Sequence, residues 1–166
     1  ALIMRVLDVF IAFPSLVLVL AIAQGIGGGI LNTIWSLSFF SVPAFARVAR
    51  VASLRVREQA FVTVAILSGA GLMRIVFRHI APNIAPQLFT FALLGIGVVM
   101  IVEGGLSFLG FGIQAPQPSW GNMIAQGQQA LLTRPSLVLL PSSLLFLTVL
   151  SCNLLGEALR TRWNAR

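Results

Sequence analysis

The chain has 166 residues, room for one domain, but hydrophobic residues make up 58% and charged residues 9%, where soluble domains run near one-half and one-quarter. Basic residues number 11 against 4 acidic, a net charge of +7, and every basic residue is Arg; there is one His, one Cys and no Tyr. Lacking Lys, the chain has no G-x-x-x-x-G-K phosphate loop and no Schiff-base amine; a single His excludes H-E-x-x-H, and a single Cys excludes an intrachain disulfide or Cys cage.

No charged residue falls between Asp8 and Arg47, a stretch long enough for two spans of about 20 residues. Gly25-Ile26-Gly27-Gly28-Gly29 is too flexible for a helix interior, so the spacing predicts a first span over 6–25 and a second over 31–51. A third span over 86–108 is entered through Pro82 and Pro86, since proline is tolerated in a helix's first turn. The fourth covers 136–157 and would rise about 33 Å. Residues 111–135 hold Pro116, Pro118, Pro135 and several Gln, a loop composition with one short helix from Trp120 to Leu132.

A net charge of +7 would also suit a nucleic-acid surface, but that requires Arg gathered on one polar face. Here the arginines punctuate apolar runs, so the expected partner is the lipid bilayer and not nucleic acid. Orientation follows from their distribution. Arg5, Arg47, Arg50, Arg55, Arg57, Arg74, Arg78, Arg160, Arg162 and Arg166 fall on one side of the four spans and Arg134 on the other. By the positive-inside rule the 52–82 segment and both ends are cytoplasmic, and 111–135 is extracytoplasmic. The fold expected is all-α: one polytopic membrane domain over 1–166 with four transmembrane helices. Starting at Ala1 almost inside a span, the chain reads as a fragment with upstream sequence missing.

Residues 58–80 read as two short helices around Gly69-Ala70-Gly71. Phe61, Val64, Ala65 and Ser68 share one side of the first; Leu72, Ile75, Val76 and Ile80 share one side of the second, away from Arg74 and Arg78. Such a segment can lie on the membrane or dock in a groove on a partner protein, and periodicity favours neither.

The run Phe61-Val62-Thr63-Val64-Ala65, Gly69-Ala70 and Arg74-Ile75-Val76-Phe77-Arg78-His79-Ile80-Ala81-Pro82-Asn83 resembles the "EAA loop" of bacterial ABC importer permeases. More narrowly, the chain is similar to the C-type subunit of the dipeptide/oligopeptide/nickel permeases. Met4-Arg5, Asp8, Ala12-Phe13-Pro14, Ala46-Arg47 and Arg50 carry that resemblance before the loop. After it come Glu103-Gly104-Gly105-Leu106-Ser107-Phe108-Leu109-Gly110, Pro116, Pro118-Ser119-Trp120-Gly121, Gly127, Asn153-Leu154-Leu155-Gly156-Glu157 and Leu159-Arg160. Members of the family have six spans, which leaves two upstream of Ala1.

The resemblance implies a non-catalytic permease subunit of the bacterial inner membrane, importing peptides or a similar small solute. It implies a homologous second permease, two ATPase subunits carrying ATP and Mg, and an extracytoplasmic substrate-binding protein. The loop would be the coupling segment, with Glu58, Phe61, Thr63, Val64, Ala65, Gly69, Ala70, Arg74 and Pro82 as its residues. Two departures stand out: the family's Glu-Ala-Ala is Thr63-Val64-Ala65, and its Leu before the proline is Ala81. Glu58 does not replace the missing Glu, because five residues place it roughly 140° around a helix from Thr63. Docking is then apolar, led by Phe61 and Val64.

Glu103 lies inside the third span, where a lone carboxylate costs about 3 kcal/mol. It either lines the solute path or outer gate, or is a packing residue hydrogen-bonded to a neighbouring span. Gln87 and Asn153 are weaker path candidates, with interface contacts as the plainer reading; Glu157 shares that reading. His79 sits at headgroup level, and Cys152 is a small buried hydrophobe. Two other functions compete with import: a membrane scaffold that transports nothing, and an ion-driven carrier, which would need acidic or His relays in several spans.

Overall fold

The computed structural model describes residues 2–12 and 14–164; Arg166 and the Arg162 and Trp163 side chains lie outside that description. Among the described residues all regular structure is helical, as the composition requires. The order is α1 (Leu2–Ala12), α2 (Ser15–Ile26), α3 (Ile30–Arg57), α4 (Ala60–Leu67), α5 (Leu72–Phe108), α6 (Trp120–Gly127) and α7 (Ser136–Asn164). Three helices are long and apolar enough to cross a membrane: α3, α5 and the Ser136–Thr161 part of α7. Their side chains invert the soluble pattern. Trp35, Phe146, Leu154 and many other large apolar residues point outward, the arrangement expected when the surrounding solvent is lipid.

The first expected span, 6–25, is not one helix. It breaks at Pro14 (φ −54°, ψ 121°), leaving α1 with 11 residues and α2 with 12. The cause lies in Pro14 itself, which has no backbone N–H to continue the ladder and sits extended at the start of α2. α2 then starts afresh, with the Leu18 N–H donating to the Pro14 carbonyl.

The third span also differs. Instead of starting at 86, α5 begins at Leu72 and carries both prolines inside it. A six-residue π-helical stretch, Ile75–Ile80, precedes them, and the Ala81 N–H reaches back to the Val76 carbonyl. This wider turn gives the Pro82 ring room, and side chains near the prolines bond back to the carbonyls four residues earlier. Asn83 Nδ2 donates to the His79 carbonyl at 2.6 Å, and Thr90 Oγ1 donates to that of Pro86 at 3.0 Å. The second short helix expected in the 52–82 segment is therefore the beginning of the span itself.

Helices α3, α5 and α7 alternate in direction, so the arginines of α3, α5 and α7 gather at one end. A small core ties α2, α3 and α5 together: Val19, Leu37 and Leu106 are buried, with Leu20, Phe40, Val99 and Phe111 packed against them. Between α5 and α7 the helices approach through glycines. Gly97 faces Val149 and Asn153, and Gly156 faces Leu94, the small-residue contacts on which helix packing in lipid depends. The short helix expected over Trp120–Leu132 ends at Gly127 and continues as a 3₁₀ turn, Gln128–Ala130. Ser119 starts it by accepting the Asn122 N–H on its Oγ.

Candidate functional site

At the Arg-rich end, residues 58–82 form a hairpin. Glu58 is exposed at the end of α3, and the extended Gln59 (ψ 146°) turns the chain into α4. Val62 is fully buried and anchors that helix, while Phe61, Thr63, Val64, Ile66 and Leu67 are exposed. Ala65 is half-buried, and its carbonyl accepts the Ala70 N–H at 3.0 Å while that of Ile66 accepts the Gly69 N–H at 3.0 Å. This paired closure requires a left-handed residue, and Gly69 supplies it with φ 78°.

No atom lies within 4 Å of a Cβ built on Gly69, so the requirement is purely conformational. Gly69→Ala should destabilise the hairpin by about 1 kcal/mol, seen as faster amide exchange across α4. Unchanged exchange would mean that the turn does not need a glycine.

Beyond the turn, Leu72 is 76% exposed and Met73 72%, with Phe77 also outward. Ile75, Val76 and Ile80 are half-buried, and Arg74 and Arg78 are exposed, as the helical spacing indicates. Leu72, grouped by periodicity with Ile75, Val76 and Ile80, differs from them in opening α5 at the hairpin tip, where it is exposed. The two arms meet where the Phe61 and His79 rings lie 6.2 Å apart. Pro82 lies on the α5 arm beyond the widened turn. The tip residues Leu67, Met73 and Phe77 escaped the sequence reading. Their signal was present as large apolar residues beside arginines in a segment too charged to be a span.

The three polar path candidates are not brought together. Gln87 is exposed near the Arg-rich end of α5. Asn153 packs from α7 onto Gly97, about 15 Å further along α5 at 1.5 Å per residue. Glu103 lies about 9 Å beyond that, half-buried, and its Oε1 accepts the Ser107 hydroxyl at 2.6 Å. The bond stays within one helix.

An ion pair missed in the sequence joins α1 to α3: Arg47 Nη2 to Asp8 Oδ1, 3.0 Å. Pairing lowers the cost of bringing either charge beside apolar spans. Next to it is a cleft of about 560 Å3 whose lining includes Phe10, Phe39, Phe40, Phe91, Pro43 and Arg47. Among the described residues no three His, Cys, Asp or Glu side chains are grouped as a metal site would need.

The family of binding-protein-dependent transport system inner membrane components matches residues 1–166. The chain belongs to that family. It is 41% identical over 159 residues to the glutathione transport system permease protein GsiD of Shigella flexneri serotype 5b (strain 8401). The same protein of Escherichia coli O157:H7 gives the same value, with 96% of this chain and 52% of the relative covered in each. GsiD of Escherichia coli O1:K1 / APEC is 40% identical over 157 residues, covering 95% of this chain and 52% of its own length. The chain thus spans about half the length of the curated relatives it matches. Membership in a family of inner membrane components agrees with the apolar exterior, and the family resemblance carried along the chain is borne out.

Proposed function

We propose that this chain is the membrane-spanning part of a permease subunit in an ATP-driven ABC importer for a small peptide. The observation that carries the reading is the hairpin of 58–82, which in a member of this transport family holds out an exposed apolar tip flanked by Arg74 and Arg78. An apolar helix tip with a basic rim suits a groove on a partner protein. The partner with that geometry is a cytoplasmic ATPase, one of two, carrying the ATP and Mg that this chain has no loop to hold. A homologous permease and an extracytoplasmic binding protein complete the assembly. The relatives are named for glutathione transport, which supports a small peptide as the solute. The Arg-rich end and the C-terminus are cytoplasmic by charge bias.

The mechanism follows from the continuity of α5. Closure of the ATPase dimer displaces the hairpin, whose second arm is the start of the 37-residue helix. Movement at Leu72 is therefore transmitted to the far end of α5 as tilt of a stiff rod, with the π-helical stretch Ile75–Ile80 as the place where bending is easiest. Alternate opening of the two ends then carries the solute across.

The test is uptake into vesicles containing the full-length permease with its partners. Labelled glutathione or a dipeptide should enter only with ATP, and uptake should cease when the catalytic residue of the ATPase is replaced. Uptake that survives that replacement, or follows a proton gradient instead, would point to an ion-driven carrier; no uptake of any solute would favour the scaffold.

A further inference from the structure

At the end of α5 opposite the arginines, one short turn joins several elements. Ser107 is 3% exposed and lies between two partners. Its hydroxyl donates to Glu103 Oε1 at 2.6 Å, and the same oxygen accepts the Ile113 N–H at 2.9 Å. The Phe111 and Gly112 N–H groups both donate to the Leu106 carbonyl, at 2.9 and 3.1 Å, folding the turn back on the helix. From the other side, the Gly112 carbonyl accepts the Gly29 N–H of the α2–α3 connection at 3.3 Å, and the Gln114 side chain covers Gly28. Helix α6 closes the junction, with Gly121 seated directly on the Gly104 backbone.

We infer that Glu103 and Ser107 are positioning residues: a carboxylate–hydroxyl–amide latch that holds residues 109–119 in place and so locks the α2–α3 connection and α6 to the end of α5. The latch uses Glu103 as an acceptor; its negative charge strengthens the bond, but an uncharged acceptor oxygen also closes it. A hydroxyl can serve the Ile113 amide while donating its own proton elsewhere, and a charged acceptor strengthens the pair. With the latch closed, the far ends of α2, α3, α5 and α6 move as one body. The inference rests on the transport reading only for its uptake arm.

The experiment compares Glu103→Gln, Glu103→Leu and Ser107→Ala in the full-length permease, reading amide hydrogen exchange of the 109–119 peptide in lipid nanodiscs and uptake in reconstituted vesicles. Gln keeps an acceptor oxygen, so Glu103→Gln should exchange within about twofold of the parent and retain at least about half its uptake. Ser107→Ala and Glu103→Leu should each raise exchange of this peptide about tenfold, the size of a lost hydrogen bond to a charged acceptor. Exchange along α7 should stay unchanged, and uptake should fall. The inference is overturned if Glu103→Gln exchanges as fast as Glu103→Leu, or if Ser107→Ala matches the parent. Should Glu103→Leu fail to insert, Ser107→Ala carries the comparison, since it removes one oxygen and no volume that packing depends on. If the parent itself shows no uptake while the exchange pattern holds, the latch stands and the importer reading fails.

Discussion

Phe61→Asp in the full-length permease is expected to abolish co-purification with the cognate ATPase. Phe61 sits on α4 with 43% of its surface exposed, ahead of the apolar residues that run to the tip. Anchoring aromatics at interfaces of this kind are worth about 3 kcal/mol, a loss of more than 100-fold in affinity on truncation. A buried carboxylate in place of the ring costs more still. The missing Glu of the motif raises the stakes: with Thr63 in its place, the proposed docking rests on apolar contact. Phe61→Leu keeps apolar volume and should retain the partner, which separates loss of docking from loss of the Phe61–His79 contact. Full retention of the ATPase by Phe61→Asp would remove α4 from the interface.

The second large effect is expected at Gly121. A Cβ there would collide with the Gly104 carbonyl oxygen and come within 2.7 Å of its carbon and 2.8 Å of its Cα. These are backbone atoms of the last turns of α5, with no flexible side chain to yield, so α6 must lift off α5. Overpacking usually costs 1–3 kcal/mol, and a backbone collision belongs at the upper end. Gly121→Ala should lower the apparent Tm of the purified protein by about 6 °C or more and open the 111–119 turn to proteolysis. Gly97→Ala is the internal control: its Cβ would meet Val149 and Asn153 side-chain atoms at 3.2 and 3.3 Å, which can move by a few tenths of an ångström. Gly97→Ala should therefore cost much less. Equal Tm for Gly121→Ala and the parent would show that the two backbones are not in contact.

The role of Phe61 was legible in the sequence and the packing of Gly121 was not, and the surroundings of each were read incompletely for different reasons. In the hairpin, the charged residues among apolar ones marked a segment outside the spans, and Gly69 marked its turn. The residues of the tip were not chosen, because an apolar side chain looks the same whether it faces lipid, core or partner. The fusion of the second arm with α5 was invisible too: Pro82 and Pro86 read as the first turn of a span, yet the helix begins at Leu72 and passes into them through the π-helical stretch. At Pro14 the opposite error arose, since a proline inside a long apolar run was passed over and did break the helix.

For the junction, one half was within reach. Glu103 and Ser107 stand four apart on one helix face, a spacing at which side chains meet. Their bond to Ile113 depends on a turn whose shape no periodicity describes. The Asp8–Arg47 pair spans 39 positions, although each is a formal charge in an otherwise apolar stretch and so in need of a partner.

What the sequence determined by itself is the class of molecule: an all-helical membrane protein, with its arginines at one end and a hairpin between its long helices. The physical reason is that lipid offers no hydrogen-bond partners, so each span must satisfy its own backbone and its length and hydropathy alone reveal it. What only the tertiary structure decided is how the spans are joined: Gly121 on Gly104, Ser107 between Glu103 and Ile113, Asn153 against Gly97 and far from Glu103. Those contacts depend on the shapes of two surfaces at once, in a close-packed interior where an extra methyl group is felt. Neither surface is written in the residues of one helix.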